Sequence, residues 1–210
     1  MEIIDYILHI DQYLETFLNQ YHDWFYVFLF LLIFIETGLV FMPFLPGDSL
    51  LFAAGMLTAT FPEQLHIVVI IVVLCAAAIL GDSLNYTIGK RVGRQLIHTK
   101  LMGKRIIQDK ALQKTENFFS KYGIKTIVIA RFIPLVRTVA PFVAGISKMH
   151  YKTFIQYNII GGVTWICLIT LIGYFLGNIP FVRQNFEIVV LSIIVLSIVP
   201  VGVELWKSKN

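Results

Sequence analysis

The chain has 210 residues, of which 57% are hydrophobic and 14% charged, with a formal net charge of +4. A soluble domain carries about 25% charged residues, whereas a mean hydropathy of +0.77 places this chain in a bilayer. The length suits one membrane domain, residues 1–210, and leaves no room for a separate soluble module.

Residues 1–23 carry Glu2, Asp5, Asp11, Glu15 and Asp23 and no Lys or Arg. This start lacks the basic region of a cleavable signal peptide, so none is expected. Ile3, Ile7, Ile10, Leu14, Phe17 and Tyr21 recur at helical spacing. Such a stripe belongs to an amphipathic helix on the membrane surface or packed against a bundle. Residues 24–60 are mostly apolar and are interrupted by Pro43 and Pro46-Gly47. With an outside N-terminus they enter the membrane and turn back; with a cytoplasmic one, residues 24–45 cross once and the turn is shorter.

Residues 65–89 are long and apolar enough for a membrane span. The segment 90–125 then holds ten Lys or Arg residues against Asp109 and Glu116. The positive-inside rule puts it in the cytoplasm. There it sets topology and meets anionic lipid headgroups, which accounts for a pI near 9.0 without nucleic acid. Within it Met102, Ile106, Thr115, Phe119 and Tyr122 trace a second amphipathic stripe, on the membrane surface or packed against the bundle. Residues 126–147 lie between Lys125 and Lys148, both expected in the cytoplasm, so a single crossing does not fit. Pro134 and Pro141 supply the break for a second re-entrant segment. Residues 154–176 and 187–206 are further spans, and Lys207 and Lys209 set the C-terminus in the cytoplasm.

The two broken segments echo each other. Phe44-Leu45-Pro46, Asp48-Ser49 and Phe52-Ala53-Ala54-Gly55 in the first parallel Phe132-Ile133-Pro134, Arg137-Thr138 and Phe142-Val143-Ala144-Gly145 in the second. Gly89-xxx-Gly93 and Gly173-xxx-Gly177 follow them. Opposed repeats with broken helices at mid-membrane are an architecture of secondary transporters. The fold class expected is an all-α polytopic membrane protein, an inverted repeat with two opposed re-entrant helical hairpins, transmembrane helices and interfacial amphipathic helices.

Glu36, Asp48, Arg131 and Arg137 are charges in apolar surroundings. Each costs roughly 2.5–3.5 kcal/mol at the centre of a span, so together they need pairing, water or a ligand. They form either a static cluster of salt bridges or an ion or headgroup site that opens during transport. Arginine suits phosphate because its planar fork donates two hydrogen bonds and keeps its charge. A broken helix adds backbone N–H groups and a positive dipole end. Paired acids suit proton exchange. Ser49, Asp82, Tyr86 and Thr138 are polar neighbours that line the site or satisfy helix ends; Asp82 sits near the cytoplasmic end of its span in this reading. Asn158 offers a hydrogen bond between helices. Cys75 and Cys167 stand alone in apolar runs, and the five histidines show no ligand spacing, so no metal is expected.

Glu36-Thr37-Gly38, Phe44-Leu45-Pro46-Gly47-Asp48-Ser49-Leu50-Leu51-Phe52, Gly81-Asp82 with Tyr86-Thr87-Ile88-Gly89, and Ala130-Arg131-Phe132-Ile133-Pro134 with Arg137-Thr138 and Pro141-Phe142-Val143-Ala144-Gly145 closely resemble the bacterial DedA family. That family is related to the eukaryotic VTT-domain, or SNARE-associated Golgi, proteins. The resemblance covers almost the whole chain and is strongest to the branch around DedA itself. It implies a bacterial cytoplasmic (inner) membrane protein with two opposed re-entrant hairpins. It also implies lipid transport: undecaprenyl phosphate recycling, phosphatidylethanolamine movement or phospholipid scrambling, coupled in some members to the proton motive force. The family's functional acid pair maps onto Glu36 and Asp48 and its arginine pair onto Arg131 and Arg137.

The reading is a flippase returning undecaprenyl phosphate to the inner leaflet, with lipid and protons as its partners and no catalytic residue or cofactor. The rivals are a phospholipid flippase or scramblase and a membrane-protein assembly factor; a lipid phosphatase lacks a nucleophile beside a base. Monomer and homo-oligomer both remain open. The topology is testable in a background free of Cys75 and Cys167. Lys125→Cys and Lys148→Cys are expected to react with an impermeant thiol reagent from the same face of the membrane. Reaction from opposite faces removes the second hairpin.

Overall fold

The computed structural model describes residues 10–39, 47–98, 100–101, 104–105 and 109–184. The predicted span 187–206 lies outside them, as do Ile3, Ile7, Pro43, Pro46, Met102 and Ile106. Among the described residues the chain is helical except for one antiparallel pair of two-residue strands, β1 (Lys100–Leu101) and β2 (Lys104–Arg105), inside the basic segment.

The helices are α1 (Ile10–Gly38), α2 (Gly47–Thr60), α3 (Ile67–His98), α4 (Asp109–Tyr122), α5 (Thr126–Ile129), α6 (Pro134–Ile146), α7 (Tyr151–Gly177) and α8 (Pro180–Gln184). Within α1, Tyr21 leaves helical geometry at φ −132°, ψ 26°. This kink falls close to the expected boundary at residue 23. Near it Leu18 is buried, while Tyr21 of the expected stripe is exposed.

Two stretches, Ile67–Gly93 in α3 and Tyr151–Gly177 in α7, are long and apolar enough to cross a bilayer. Both carry large exposed apolar side chains, among them Val68, Val72 and Leu80 on α3 and Ile160, Val163 and Phe175 on α7. Water would penalise such surfaces, whereas lipid matches them. The helix α3 runs on past Gly89, the expected end of the span, to His98, and carries Lys90, Arg91 and Arg94 of the basic segment with it. Asp82 lies at mid-helix.

The break in the second apolar segment has a local cause. After α5 a 3-10 turn spans Ala130–Phe132, and Ile133 is extended at φ −124°, ψ 104°. The residue before a proline is pushed to extended geometry, and Pro134 then opens α6 where its missing N–H costs nothing. Pro141 lies inside α6 and cannot donate to the Arg137 carbonyl. The amphipathic α4 packs on α6, through Leu112 and Phe119 against Val139, Phe142 and Val143. Of the expected stripe, Phe119 thus meets protein, while Tyr122 is exposed. Gly123, at φ +58°, ends that helix in the left-handed region.

The described residues fall into two compact units, one drawn from residues 1–29, 46–72 and 167–210, the other from 30–45 and 73–166. Each holds a short helix tight against a long one. In the first, a Cβ on Gly55 of α2 would strike the Thr170 carbonyl of α7, and one on Gly173 would strike the Phe52 carbonyl. In the second, a Cβ on Gly145 of α6 would strike the Tyr86 carbonyl of α3, and one on Gly89 the Phe142 carbonyl. The register is the same: the short helix's glycine faces the residue three before the long helix's glycine, and its Phe faces that glycine. Close backbone approach of this kind needs glycine on both sides.

Gly145→Ala is therefore expected to destabilise the protein by about 1–3 kcal/mol through overpacking. The readout is a thermal midpoint in detergent, lowered by about 2–4 °C for each kcal/mol in a chain of this size. Gly38→Ala is the control, because a Cβ there meets only ordinary contacts at 3.5 Å. Equal midpoints for the two variants would remove the close-contact account.

Candidate functional site

The second unit buries four ionised side chains as two pairs. Glu36 lies near the end of α1 at 2% exposure, and its Oε1 accepts from Arg137 Nη2 on α6 at 2.6 Å. Arg131, in the turn before α6, is 2% exposed, and its Nη2 donates to Asp82 Oδ2 on α3. The same nitrogen donates to Asn158 Oδ1 on α7. Breaking a buried pair by removing one partner typically costs 3–5 kcal/mol, because the other charge is left uncompensated.

One helical face of α7 forms the seat of Arg131. Asn158, Gly161, Gly162 and Trp165 stand at positions i, i+3, i+4 and i+7. Asn158 is itself fixed, its Nδ2 donating to the Ile79 carbonyl at 3.1 Å. A Cβ on Gly161 would come within 3.1 Å of Arg131 Cδ, so the absent side chain leaves room for the arginine. The Trp165 ring, also buried, lies under both guanidinium groups, 4.7 Å from Arg137 Cζ and 5.8 Å from Arg131 Cζ. A ring face attracts a cation, more strongly where water is excluded.

Asn85 closes the arrangement from α3. Its Nδ2 donates to the Thr37 carbonyl at 3.1 Å and to the Thr138 carbonyl at 2.8 Å. The first is one of the carbonyls that the end of α1 leaves without a helical donor. Hydrogen-bonding capacity remains: Arg131 Nε and Nη1, Asp82 Oδ1, Asn85 Oδ1 and Thr138 Oγ1 are buried with no protein partner. Unmet polar atoms in such number are uncommon and mark a place for a ligand or water.

Of the eight residues singled out in the sequence, Glu36, Asp82, Arg131, Arg137 and Thr138 come together in this unit. Asp82 is the carboxylate on Arg131. Tyr86 belongs to a packing cluster, stacked on Phe154 at 4.5 Å with its hydroxyl donating to the Met149 carbonyl. Asp48 and half-buried Ser49 fall in the first unit. Asp48 is exposed in the first turn of α2, where the positive end of the helix dipole favours a carboxylate. Trp165 went unnoticed in the sequence; its signal is the spacing from Asn158 through the two glycines. Neither Cys75 nor Cys167 is in a disulfide.

Comparison with known proteins follows the same residues. The VTT domain family matches residues 45–175, a stretch that includes Asp48, Asp82, Arg131, Arg137 and Trp165. Protein DedA of Escherichia coli K12 is 46% identical over 99% of this chain and 94% of its own length. An uncharacterized membrane protein of Mycobacterium tuberculosis is 42% identical over 82% of the chain and 74% of its own. Inner membrane protein YghB of Salmonella typhimurium is 34% identical over 82% and 77%. No solved structure matches. The chain belongs to the DedA family of VTT-domain proteins and is a protein of the bacterial inner membrane.

Proposed function

We propose that the protein is a flippase that moves undecaprenyl phosphate from the outer to the inner leaflet for reuse in envelope synthesis. The observation that carries this reading is the pair of buried arginines, each on a carboxylate and both over one tryptophan ring. Two guanidinium groups supply forked donors for a phosphate that would otherwise lose its hydration in the membrane. Arg131 and Arg137 hold the headgroup, and Glu36 and Asp48 exchange protons and gate it. Thr138, Ser49, Asp82 and Tyr86 support those four. The protein acts without a cofactor or metal, and the reaction is transport, not catalysis.

The shared glycine register of the two units supports an inverted repeat, in which α2 and α6 are the inner arms of opposed re-entrant hairpins. Proton coupling follows from electrostatics. One negative charge moving inward against an inside-negative potential costs about 2.3 kcal/mol per 100 mV. One co-transported proton cancels that charge, and two make movement of a monoanion favourable.

Reconstitution into liposomes tests the reading, with leaflet exchange of undecaprenyl phosphate measured beside that of phosphatidylethanolamine. Faster exchange of the former is expected; preference for the latter makes the protein a phospholipid transporter, and movement of neither favours an assembly factor. Arg131→Lys and Arg137→Lys keep the charge and lose the fork, so each is expected to lose most transport with near-normal membrane insertion. Full activity in both lysine variants would reduce the arginines to point charges.

The same vesicles with an imposed pH gradient test coupling. Wild-type uptake is expected to follow the gradient, and Glu36→Gln and Asp48→Asn to uncouple it. Uptake indifferent to the gradient, and to pH from about 5.5 to 8 where a buried carboxylate changes charge, would make the protein a passive scramblase.

A further inference from the structure

We infer that Asp82 is the internal anion that the lipid phosphate displaces from Arg131, and that it takes up a proton as it is displaced. The inference rests on the headgroup reading above and adds a third carboxylate to it. The Arg131–Asp82 pair is only half made. A bidentate pair uses two donors and both carboxylate oxygens, but here one nitrogen, Nη2, meets one oxygen, Oδ2. Arg131 Nε and Nη1 and Asp82 Oδ1 are buried beside that bond with no protein partner. Arg131 thus keeps two donors for an anion with several acceptor oxygens, while Asp82 keeps one lone oxygen for a proton.

The step balances. The Nη2–H···Oδ2 bond breaks, N–H···O–P bonds form from Arg131, and Oδ1 takes a proton from hydronium, leaving water. When the phosphate leaves, the O–H bond breaks, its proton returns to water as hydronium, and the ion pair closes again. Asn158 and Trp165 give Arg131 a fixed seat on α7 in either state. A carboxylate left in this setting without its arginine is not sustained as an anion. The groups facing Asp82 are cations: Arg131 from the turn and Arg137 from α6. Arg137 is itself engaged by Glu36 of α1, and Cys75, two turns back on α3, faces Arg131.

Binding tests this in the purified full chain with Trp24→Phe and Trp206→Phe, which leave Trp165 as the sole tryptophan. Its emission reports the change in charge and hydrogen bonding of the arginines over its ring. The probes are a short-chain isoprenyl monophosphate in micelles and inorganic phosphate, and binding of the first alone identifies a lipid headgroup as the ligand; inorganic phosphate binding as tightly would identify free phosphate. Wild-type affinity is expected to rise as pH falls from about 8 to 6. The dependence should be steeper than that of Asp82→Asn by up to about tenfold per pH unit, the slope of one proton taken up. The probe's own titration is common to both proteins and drops out. At high pH Asp82→Asn should bind more tightly than wild type, having lost its competitor.

Identical pH profiles with binding that still needs Arg131 would overturn this inference and leave the headgroup reading intact. Binding of neither probe, or binding unchanged in Arg131→Gln, would remove both. Where Asp82→Asn does not fold, infrared difference spectra of wild type and Asp82→Glu decide. The protonated-carboxyl band that appears on adding the isoprenyl phosphate must move in the Glu variant; an unmoved band assigns the proton elsewhere.

Discussion

Everything in the second unit depends on ionised groups being buried where no water solvates them. An Arg or Asp at the centre of a span costs a few kcal/mol even on the mildest scales. The fold answers by drawing Arg131 to Asp82 and Arg137 to Glu36. Those partners sit 49 and 101 residues apart in the chain, so the pairs close only if α1, α3 and the α5–α6 turn meet. Close packing makes that meeting possible. Gly89 and Gly145 let α3 and α6 touch backbone to backbone, and Asn85 then reaches carbonyls on both α1 and α6.

Breaks in the helices serve the same end. An unbroken helix through residues 126–146 would satisfy its own backbone and leave little for a ligand. The extended Ile133 keeps its N–H and carbonyl bonded across the break, and the internal Pro141 removes the helical donor to the Arg137 carbonyl. They also set Arg131 and Arg137 on different turns, from which both reach one Trp165 ring. The arginines are thus held by geometry as well as by charge, with α7 serving as their common floor.

Much of this is legible in the sequence because the bilayer enforces simple rules. Long apolar runs mark α3 and α7, prolines mark the break before α6, and isolated charges mark Glu36, Arg131 and Arg137. The span expected to end at Gly89 belongs to a longer helix. The helix in fact carries Lys90, Arg91 and Arg94 for two more turns, since Lys and Arg are good helix formers and their long stems let the charges reach water. Pairing between distant segments is not written locally, so Asp82 could not be matched to Arg131 from spacing alone. The amphipathic α4 shows the same limit: its stripe fits lipid or protein equally, and spacing alone does not show that Phe119 packs on α6.

Stability alone does not account for the two ion pairs. Replacing a buried pair with apolar residues of similar volume is often neutral or stabilising by about 1–4 kcal/mol. A bundle that needed only to fold would do as well with leucine at all four positions. The Arg131–Asp82 pair is also incomplete, sharing a single contact and keeping buried atoms that meet no protein partner. A purely structural cluster gains by completing its hydrogen bonds, since each unmet buried group costs about 1–3 kcal/mol. A site that must release one anion to admit another gains by leaving them open. The half-made pair is thus costly for an inert core and useful for exchange.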